Sequence, residues 1–488
     1  MSDARPYKIS GKTGSWEIVI GLEVHAQVSS KLKLFSNGSA SFGSNENENL
    51  DLLDIGLPGT LPTINSFVID QAIKSGLALN AKVNNFSIFD RKNYFYPDLP
   101  LGYQISQYKE PIISDGYIDI DINESDSKRI RIERLHLEQD AGKSIHDQSP
   151  EDSFIDFNRA GVALMEIVSY PDLSDWEEAG DYVTKLRNIL RFANTCDGNM
   201  QEGSLRCDAN VSVRKPNDDL GTRCEIKNLN SIKNLMKAIE FEANRQVALL
   251  ESGETIAQET RLFDANSGKT RTMRSKEEAH DYRYFPDPDL LPLKIQEDRI
   301  HKISKTLPEL PAQLKERLKS QYKLGSYDAR VISAELETAK YFEDLSEGRD
   351  PKQAANWIIS NLFGKLNGID KSISESPISS KKLGKLLDLV NDGTISNKIA
   401  KEVFEEMFIS SKEAKEIIEE KGLKQISNED DIEKLVDKII LENETQVNQF
   451  KEGNTKVMGW FVGQVMKLTK GQANPGIVNK IILKKLNN

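Results

Sequence analysis

Strict alternation of apolar and polar side chains between Trp16 and Val28 is the sequence feature that most constrains this fold. The apolar positions are Trp16, Ile18, Ile20, Leu22, Val24, Ala26 and Val28. Because successive side chains of a strand point to opposite faces, Glu23, His25 and Gln27 share the other face. The segment therefore predicts a strand that packs one face in a core and presents an acid and an imidazole on the other.

Three further segments show the same pattern. One polar face carries Arg134, His136 and Glu138, the next carries Ser204, Arg206, Asp208, Asn210 and Ser212, and the last carries Arg223, Glu225 and Lys227. Any one of them also suits the solvent-facing side of an antiparallel sheet. Together they concentrate acids, imidazoles and guanidiniums, which favours a functional site on a rigid sheet.

The residue types of these faces indicate a chemistry. Clustered carboxylates raise one another's pKa unless a cation lies among them. Oxygen ligands with a single histidine suit Mg²⁺ or Mn²⁺ better than zinc. Arg206, Arg223 and Lys227 could then bind an anion, so the residues alone predict metal-dependent phosphoryl transfer. Gly198–Ser204 has the glycine spacing of a P-loop but lacks its lysine, and we dismiss it.

The chain changes character after Pro286-Asp-Pro-Asp-Leu-Leu-Pro292, where three prolines interrupt regular structure. We predict an α+β organisation: a sheet-rich domain over 1–300, a helical domain over 301–409 and a helical tail over 410–488. In the first domain, the capping box Ser174–Glu177 starts one helix, and a second runs from about Asn230 to Gly253. Later helices are predicted near 308–322, 327–345, 352–366, 379–391, 397–409, 412–421, 430–470 and 475–487.

Charge and composition restrict the location and partners. The formal net charge is −11, which does not by itself suggest nucleic acid. From Phe461 onward, however, there is no acid, while lysines stand at 467, 470, 480, 484 and 485. This end is either a solvated helix face or an RNA contact. Without a signal sequence or an apolar run of about 20 residues, we expect a cytoplasmic protein. Cys196, Cys207 and Cys224 suit neither a disulfide framework nor a zinc site.

Longer motifs give the chain a family resemblance. They are Gly21–His25, Gly56–Pro62, Asp90–Pro100, Gly102–Gln107, His136–Glu138 with Asp140–Lys143, Asn158–Gly161, Met200–Asn210, Glu225–Ser231, Asp281–Pro286 and Ala473–Gly476. Together they resemble the B subunits of aspartyl/glutamyl-tRNA amidotransferases (GatB) over essentially the whole chain.

The resemblance implies an architecture and an activity. The architecture is a catalytic cradle similar to glutamine synthetase, built on an antiparallel sheet, followed by helical and tail domains that contact tRNA. With ATP and Mg²⁺, the cradle would phosphorylate the side-chain carboxylate of Glu-tRNA(Gln) or Asp-tRNA(Asn). Ammonia from an amidase subunit (GatA) would displace the phosphate, and a small subunit (GatC) would complete a heterotrimer.

The resemblance also assigns residues. It places Glu23, His25, Glu138 and Glu225 at metal- and ATP-binding positions. We add Arg206, Asp208 and Lys227 as phosphate- or ligand-positioning groups. The aromatic segments Asp90–Pro100 and Asp281–Pro286 are equally compatible with a site wall and with packed loops.

This sequence departs from the family pattern in three places. The two cysteine pairs of a common zinc site correspond here to Phe35–Gly38 and Asp51–Asp54, which contain no cysteine. We therefore expect no structural zinc. Gln139 replaces an acid of the family's HLEED motif, while Ala163 and Tyr170 look like local packing changes.

Two other functions remain open at this point. One is a tRNA-binding scaffold without catalysis, and the other is a metal-dependent phosphohydrolase that turns over ATP without tRNA.

Overall fold

The computed structural model describes residues 9–122, 126–145, 149, 151–275, 282–369, 371–423, 428–451, 454, 457–469 and 473–486. Its contacts divide the chain into two compact units, Met1–Leu314 and Lys315–Asn488. In the described residues, no helix is both long enough and apolar enough to cross a membrane.

The first unit contains all the strands that the structure describes. They are β1 (Ile9–Gly11), β2 (Gly14–Gln27), β3 (Lys82–Val83), β4 (Phe86–Ser87), β5 (Asp90–Asn93), β6 (Tyr103–Ser106), β7 (Ile113–Asp121), β8 (Ser127–Gln139), β9 (Lys143–Ile145), β10 (Phe154–Asp156), β11 (Ala163–Ser169), β12 (Leu205–Arg214), β13 (Cys224–Leu229), β14 (Glu259–Asp264), β15 (Lys269–Ser275), β16 (Phe285–Pro286) and β17 (Leu293–Lys294). The helices that begin in this unit are α1 (Ser66–Ala78), α2 (Trp176–Phe192), α3 (Ile232–Glu251), α4 (Glu297–Ser304) and α5 (Pro311–Gln321). The mixture of sheet and helix agrees with the predicted class, although neither α1 nor α4 was predicted.

A ten-stranded sheet organises this unit. Its order is β15-β14-β13-β12-β2-β11-β8-β7-β3, with β1 paired to β2 at one end. Neighbouring strands are antiparallel except β13 and β14, which are parallel. The predicted strand Trp16–Val28 is therefore central, with four strands on one side and four on the other.

The apolar face of the sheet packs into one core. The alternating residues of β2 are buried there together with Tyr182 and Leu186 of α2 and Ile239 of α3. Burial on this side leaves the acids, imidazoles and cations of the central strands on the opposite face.

Helix α2 begins one residue later than the capping box predicts. Asp175 is the N-cap, and its carboxylate accepts a hydrogen bond from the Glu178 amide at 2.9 Å. Ser174 instead donates its hydroxyl to the Glu178 carboxylate at 2.9 Å. The prediction of a Ser174–Glu177 box is therefore wrong by one position, because an aspartate caps as well as a serine does. Helix α3 follows its predicted range, with Ser231 as the N-cap.

The second unit is helical throughout its described residues. It continues with α6 (Ser326–Ile332), α7 (Leu336–Ser346), α8 (Pro351–Asn356), a π-helix (Trp357–Leu362), α9 (Phe363–Asn367), a 3₁₀ turn (Ile373–Glu375), α10 (Ser380–Asn391), α11 (Asn397–Ser410), α12 (Ala414–Lys421), α13 (Glu429–Glu442), α14 (Glu444–Lys451), α15 (Val457–Leu468) and α16 (Pro475–Leu486).

Two predicted helices are in fact several. The predicted helix 327–345 is divided between α6 and α7, and the predicted helix 430–470 comprises α13, α14 and α15. The apolar spacing continues between α6 and α7, so periodicity alone does not reveal that break. Between α14 and α15, in contrast, residues 451–456 are polar and include Gly453, which was an available signal. Helix α11 ends at Ser410, and Ser411 follows in the left-handed conformation with φ 58°.

Candidate active site

The polar face of the large sheet brings side chains from six consecutive strands together. In register, Glu166 of β11 lies opposite His25 of β2 on one side and His136 of β8 on the other. On the far side of β2, Arg206 lies opposite His25, and Asp208 lies opposite Glu23. This arrangement follows directly from the period of two along each strand.

A carboxylate–imidazole cluster occupies the β8–β11–β2 part of this face. Glu166 Oε2 lies 3.3 Å from His25 Nε2 and 3.3 Å from His136 Nε2. Glu138 Oε1 lies 3.5 Å from His25 Nε2, and Ser106 donates its hydroxyl to Glu138 at 3.4 Å. One ligand atom each from His25, Glu138 and Glu166 lies within 4.8 Å of the others. Such a donor set fits a small hard cation.

The cluster shifts the pKa of its members. Burial disfavours the imidazolium, but the adjacent Glu166 and Glu138 outweigh it and raise the pKa of His136 to about 9. Burial likewise opposes the charged form of His25, and the same two acids raise its pKa. Conversely, burial opposes ionisation of Glu166, yet the two imidazoles hold its pKa well below the usual value. The site therefore stabilises negative charge on Glu166 and positive charge beside it.

Glu23 behaves differently from Glu166. Burial, followed by repulsion from Glu166 and Glu225, raises the pKa of Glu23, although Asn210 donates a hydrogen bond to its carboxylate at 2.9 Å. Glu23 therefore links the two acidic parts of the face, and an added cation would offset the repulsion that it experiences there.

A second group lies on β12, β13 and β14. Lys227 Nζ contacts Asp208 Oδ2 at 2.7 Å and Glu225 Oε1 at 2.8 Å. The other oxygen of Glu225 accepts a hydrogen bond from the Thr260 hydroxyl at 2.8 Å. Burial opposes the ammonium, but Asp208 and Glu225 raise the pKa of Lys227. The lysine is therefore a permanent cation between two acids.

Two guanidiniums meet at Asp140, where β8 ends. Arg206 Nη2 lies 2.9 Å and Arg159 Nε 3.0 Å from Asp140 Oδ2. The proximity of Asp140, partly opposed by burial, raises the pKa of Arg206. Within the described residues, the buried Nε of Arg206 has no hydrogen-bond acceptor.

The aromatic segments form a wall beside the cluster. Lys92 of β5 lies 4.9 Å from the centre of the Tyr282 ring and 5.8 Å from that of Tyr94. Burial opposes its charge, but Glu138 raises the pKa of Lys92 most strongly. Asp281, the first residue of the predicted Asp281–Pro286 segment, lies outside the described residues, as does the neighbouring His280. The packed Asp90–Asn93 and Tyr282–Pro286 segments thus border the acidic site.

The structure brings the predicted residues Glu23, His25, Glu138, Glu225, Arg206, Asp208 and Lys227 to one face of the sheet. Arg223, in contrast, is exposed and precedes β13. Sequence reasoning missed Glu166, since β11 is buried along its whole length and reads as core. A single acid in Ala163–Ser169 was the available signal, because an unpaired carboxylate is rarely buried.

Asp54 makes two buried or half-buried contacts at the segments that correspond to the family's cysteine pairs, one with Lys33, just before the first segment, and one with Ser36 inside it. Lys33 Nζ lies 2.8 Å from Asp54 Oδ2, and both side chains are almost fully buried. Ser36 donates its hydroxyl to the other oxygen of Asp54 at 2.8 Å. The three cysteines lie elsewhere, are buried and are unpaired. Direct side-chain contacts thus link these loops.

Known proteins define the class to which this fold and site belong. Residues 18–301 match the GatB/GatE catalytic domain, and residues 340–486 match the GatB domain. The first match contains every site residue described above, so the sheet is the catalytic part of an amidotransferase.

Curated relatives extend the match to nearly the whole chain. The B subunit of the aspartyl/glutamyl-tRNA(Asn/Gln) amidotransferase of Methylobacterium nodulans is 56% identical over 478 residues, covering 98% of this chain and 97% of the relative. The corresponding B subunits of Paramagnetospirillum magneticum and Rickettsia bellii are each 55% identical, covering 98% of this chain and 99% of the relative. The chain belongs to the family of aspartyl/glutamyl-tRNA(Asn/Gln) amidotransferase B subunits.

Proposed function

We propose that this chain phosphorylates the side-chain carboxylate of Glu-tRNA(Gln), Asp-tRNA(Asn) or both with ATP, and then amidates it with ammonia. The observation that carries the proposal is the juxtaposition of the His25–Glu138–Glu166 cluster with Lys227 and Arg206 on one sheet face. A metal-ligand set beside permanent cations is what phosphoryl transfer between two anions requires. The architecture proposed for this sheet is the glutamine-synthetase-like cradle.

The residues suit Mg²⁺ at this face. His25, Glu138 and Glu166 would hold the ion, with Glu23 and Glu225 as the further acids assigned from the sequence. Bound there, Mg²⁺ supplies positive charge that offsets the phosphate oxygens of ATP. The Ser106 hydroxyl orients Glu138, and His136 contacts Glu166 from the side away from His25.

The cations of the face would bind the nucleotide phosphates. The Arg206 side chain is 36% exposed, and Lys227 is charged because two acids surround it. Asp208 holds the ammonium of Lys227, and Asp140 holds the guanidinium of Arg206, so both cations are oriented before ATP arrives. Pre-oriented charge of this kind favours a transition state that spreads charge over phosphate oxygens.

The chemistry would proceed in two balanced steps. An oxygen of the substrate carboxylate attacks the γ-phosphorus of ATP and ADP leaves, which gives an acyl phosphate. Ammonia then attacks the acyl carbon, and inorganic phosphate leaves with the original carboxylate oxygen. The ammonia would come from an amidase subunit (GatA), with a small subunit (GatC) completing a heterotrimer.

The helical part of the chain would bind tRNA. We propose a helical domain over 301–409 and a tail over 410–488, whose helices α13, α15 and α16 share a core that includes Val436, Phe461 and Ile482. In the tail, Lys480 pairs with Glu429, and Lys485 pairs with Glu433 and Asp437. Exposed Lys467 and Lys484 are better placed for phosphate, while Lys470 lies outside the described residues.

The experiment uses this chain purified with its two partner subunits. ATP, Mg²⁺, Glu-tRNA(Gln) and ammonium chloride are supplied without glutamine, so free ammonia bypasses the amidase. ATP-dependent formation of Gln-tRNA(Gln) supports the proposal, and Asp-tRNA(Asn) is tested in parallel. Firm tRNA binding without product with either substrate would indicate a scaffold. ADP release that does not require aminoacyl-tRNA would indicate a phosphohydrolase.

A further inference from the structure

Thr260 lies at an unusual place in the large sheet. It belongs to β14, which pairs in parallel with β13, and it stands in register with Glu225. The antiparallel pairing of β14 with β15 shifts register between Thr260 and Arg261. A bulge of this kind re-aims the side chains around it. Here the Thr260 hydroxyl donates to Glu225 Oε2 at 2.8 Å.

On the opposite face of β14, Arg261 makes buried contacts with β15 and α3. Arg261 donates to the Thr270 hydroxyl at 2.8 Å, to the Thr270 carbonyl at 3.0 Å, and lies 3.3 Å from Glu242 of α3. These contacts are buried, and so is Thr260. The β-branched side chain of Thr260 also has restricted χ1 freedom. The hydroxyl is therefore a stiff donor on a strand anchored by an independent polar network.

Glu225 is thus held at both carboxylate oxygens. Lys227 Nζ lies 2.8 Å from Oε1, and the Thr260 hydroxyl donates to Oε2. A carboxylate held at both oxygens is more restricted in its rotamer than one that has lost the donor at Oε2. Residues that hydrogen-bond to a ligand-binding side chain, without touching the ligand themselves, fix the orientation of that side chain.

We infer that Thr260 is a positioning residue for the amidotransferase reaction, acting by holding Glu225 in its working orientation. The inference rests on the proposed function, in which Glu225 belongs to the metal- and ATP-binding set. Thr260 itself acts through Glu225 and is not assigned a contact with substrate.

The test compares Thr260→Val and Thr260→Ser in the complete enzyme with its partner subunits. Valine keeps the shape and β-branching but removes the donor, whereas serine keeps the hydroxyl. Binding of Mn²⁺ alone is followed by electron paramagnetic resonance, and KM for ATP and kcat are measured with ammonium chloride. Thr184→Val is the matched control, since its hydroxyl donates to the Gly180 carbonyl within α2 at 2.7 Å.

We expect Thr260→Val to bind Mn²⁺ about 10- to 100-fold more weakly, the range for loss of a group that orients a ligand. Thr260→Ser should bind close to wild type, and both variants should keep the melting temperature of Thr184→Val. Wild-type Mn²⁺ affinity in Thr260→Val, or serine no better than valine, would overturn the inference.

Glu225→Gln, measured alongside, separates the site role of Glu225 from the positioning role of Thr260. If Glu225→Gln loses Mn²⁺ affinity while Thr260→Val keeps it, only the role of Thr260 is wrong. If Glu225→Gln binds Mn²⁺ and forms product as wild type does, Glu225 does not belong to the site and the inference falls with it.

Discussion

His25 and Glu166 face each other across neighbouring strands, with Nε2 and Oε2 3.3 Å apart, and the same carboxylate oxygen lies 3.3 Å from His136. Glu166 is therefore the acid shared by two imidazoles at the centre of the candidate site. Its carboxylate is the negative group that both imidazoles of the β8–β11–β2 face contact.

We predict that Glu166→Gln lowers the rate of amide formation by about 100-fold, the upper range for loss of a partner in a metal site. The amide keeps the shape of the side chain but removes the negative charge that faces His25 and His136. The measurement is ammonia-dependent product formation by the assembled complex, with Mn²⁺ affinity as a second readout.

Glu133→Gln is the matched control for this variant. Glu133 also lies in the large sheet, but it is exposed and pairs with Arg134. Its substitution should leave both readouts unchanged. If Glu166→Gln matched Glu133→Gln, Glu166 would be a structural acid only.

Arg206 should not be replaceable by lysine. Its guanidinium donates through Nη2 to Asp140 and is partly exposed, and an ammonium cannot reproduce the planar set of donors. We expect Arg206→Lys to raise KM for ATP by roughly 10- to 100-fold, as for loss of a hydrogen bond to a charged group. Arg131→Lys, in an exposed pair with Asp172, should behave as wild type. Equal KM values for the two variants would remove Arg206 from the nucleotide site.

The buried Glu242 network predicts a pH dependence of stability. Burial raises the pKa of Glu242, but hydrogen bonds from Arg245 and Gln246 outweigh it, so its pKa is lowered on folding. A lowered pKa stabilises the fold at pH values above the unfolded value of about 4.5, and this stabilisation is lost as pH falls through the folded value. Glu242→Gln should therefore flatten the acid side of the stability curve.

Urea unfolding between pH 3 and pH 7 measures this effect. At neutral pH, we expect Glu242→Gln to reduce the free energy of unfolding of the first unit by about 3 kcal/mol, since Arg245 and Arg261 lose a buried partner. The exposed Glu240 on the same helix supplies the control Glu240→Gln. Parallel pH curves for the two variants would contradict this assignment.

The Lys33–Asp54 pair should stabilise its loops without metal. Burial lowers the pKa of Lys33, and its ammonium retains Asp54 as a partner. Lys33→Met leaves Asp54 buried and unpaired, which should cost about 3–5 kcal/mol of unfolding free energy. The double variant Lys33→Met/Asp54→Leu should recover most of that loss. Stoichiometric zinc in the purified wild-type protein, removed by a chelator with loss of stability, would contradict the expected metal-free linkage.

The sequence predicted the sheet well where one face is apolar and the other polar. The strands around Glu23 and Asp208 alternate clearly, and both carry their polar residues on the site face. The sequence did not predict Glu166 as a site residue, because its strand is buried on both faces and therefore lacks the alternation of apolar and polar residues. The sequence did not decide whether the segment that contains Lys92 borders the site, since a lysine among tyrosines does not reveal that Glu138 lies nearby.

The helical region shows a different limit. Apolar spacing predicted most of its helices, but the breaks between α6 and α7 and within 430–470 depend on local turns. The register that brings Thr260 to Glu225 depends on a parallel pairing of β13 with β14, which no local pattern encodes. Contacts between segments distant along the chain therefore required the structure.

Oxygen transfer tests the central claim most directly. Glu-tRNA(Gln) labelled with ¹⁸O in its side-chain carboxylate is incubated with the complete enzyme, ATP, Mg²⁺ and ammonium chloride, and the inorganic phosphate is analysed by mass spectrometry. If the carboxylate is phosphorylated and ammonia displaces the phosphate, one ¹⁸O atom appears in phosphate for each amide formed. Amide formation with unlabelled phosphate would contradict an acyl phosphate intermediate.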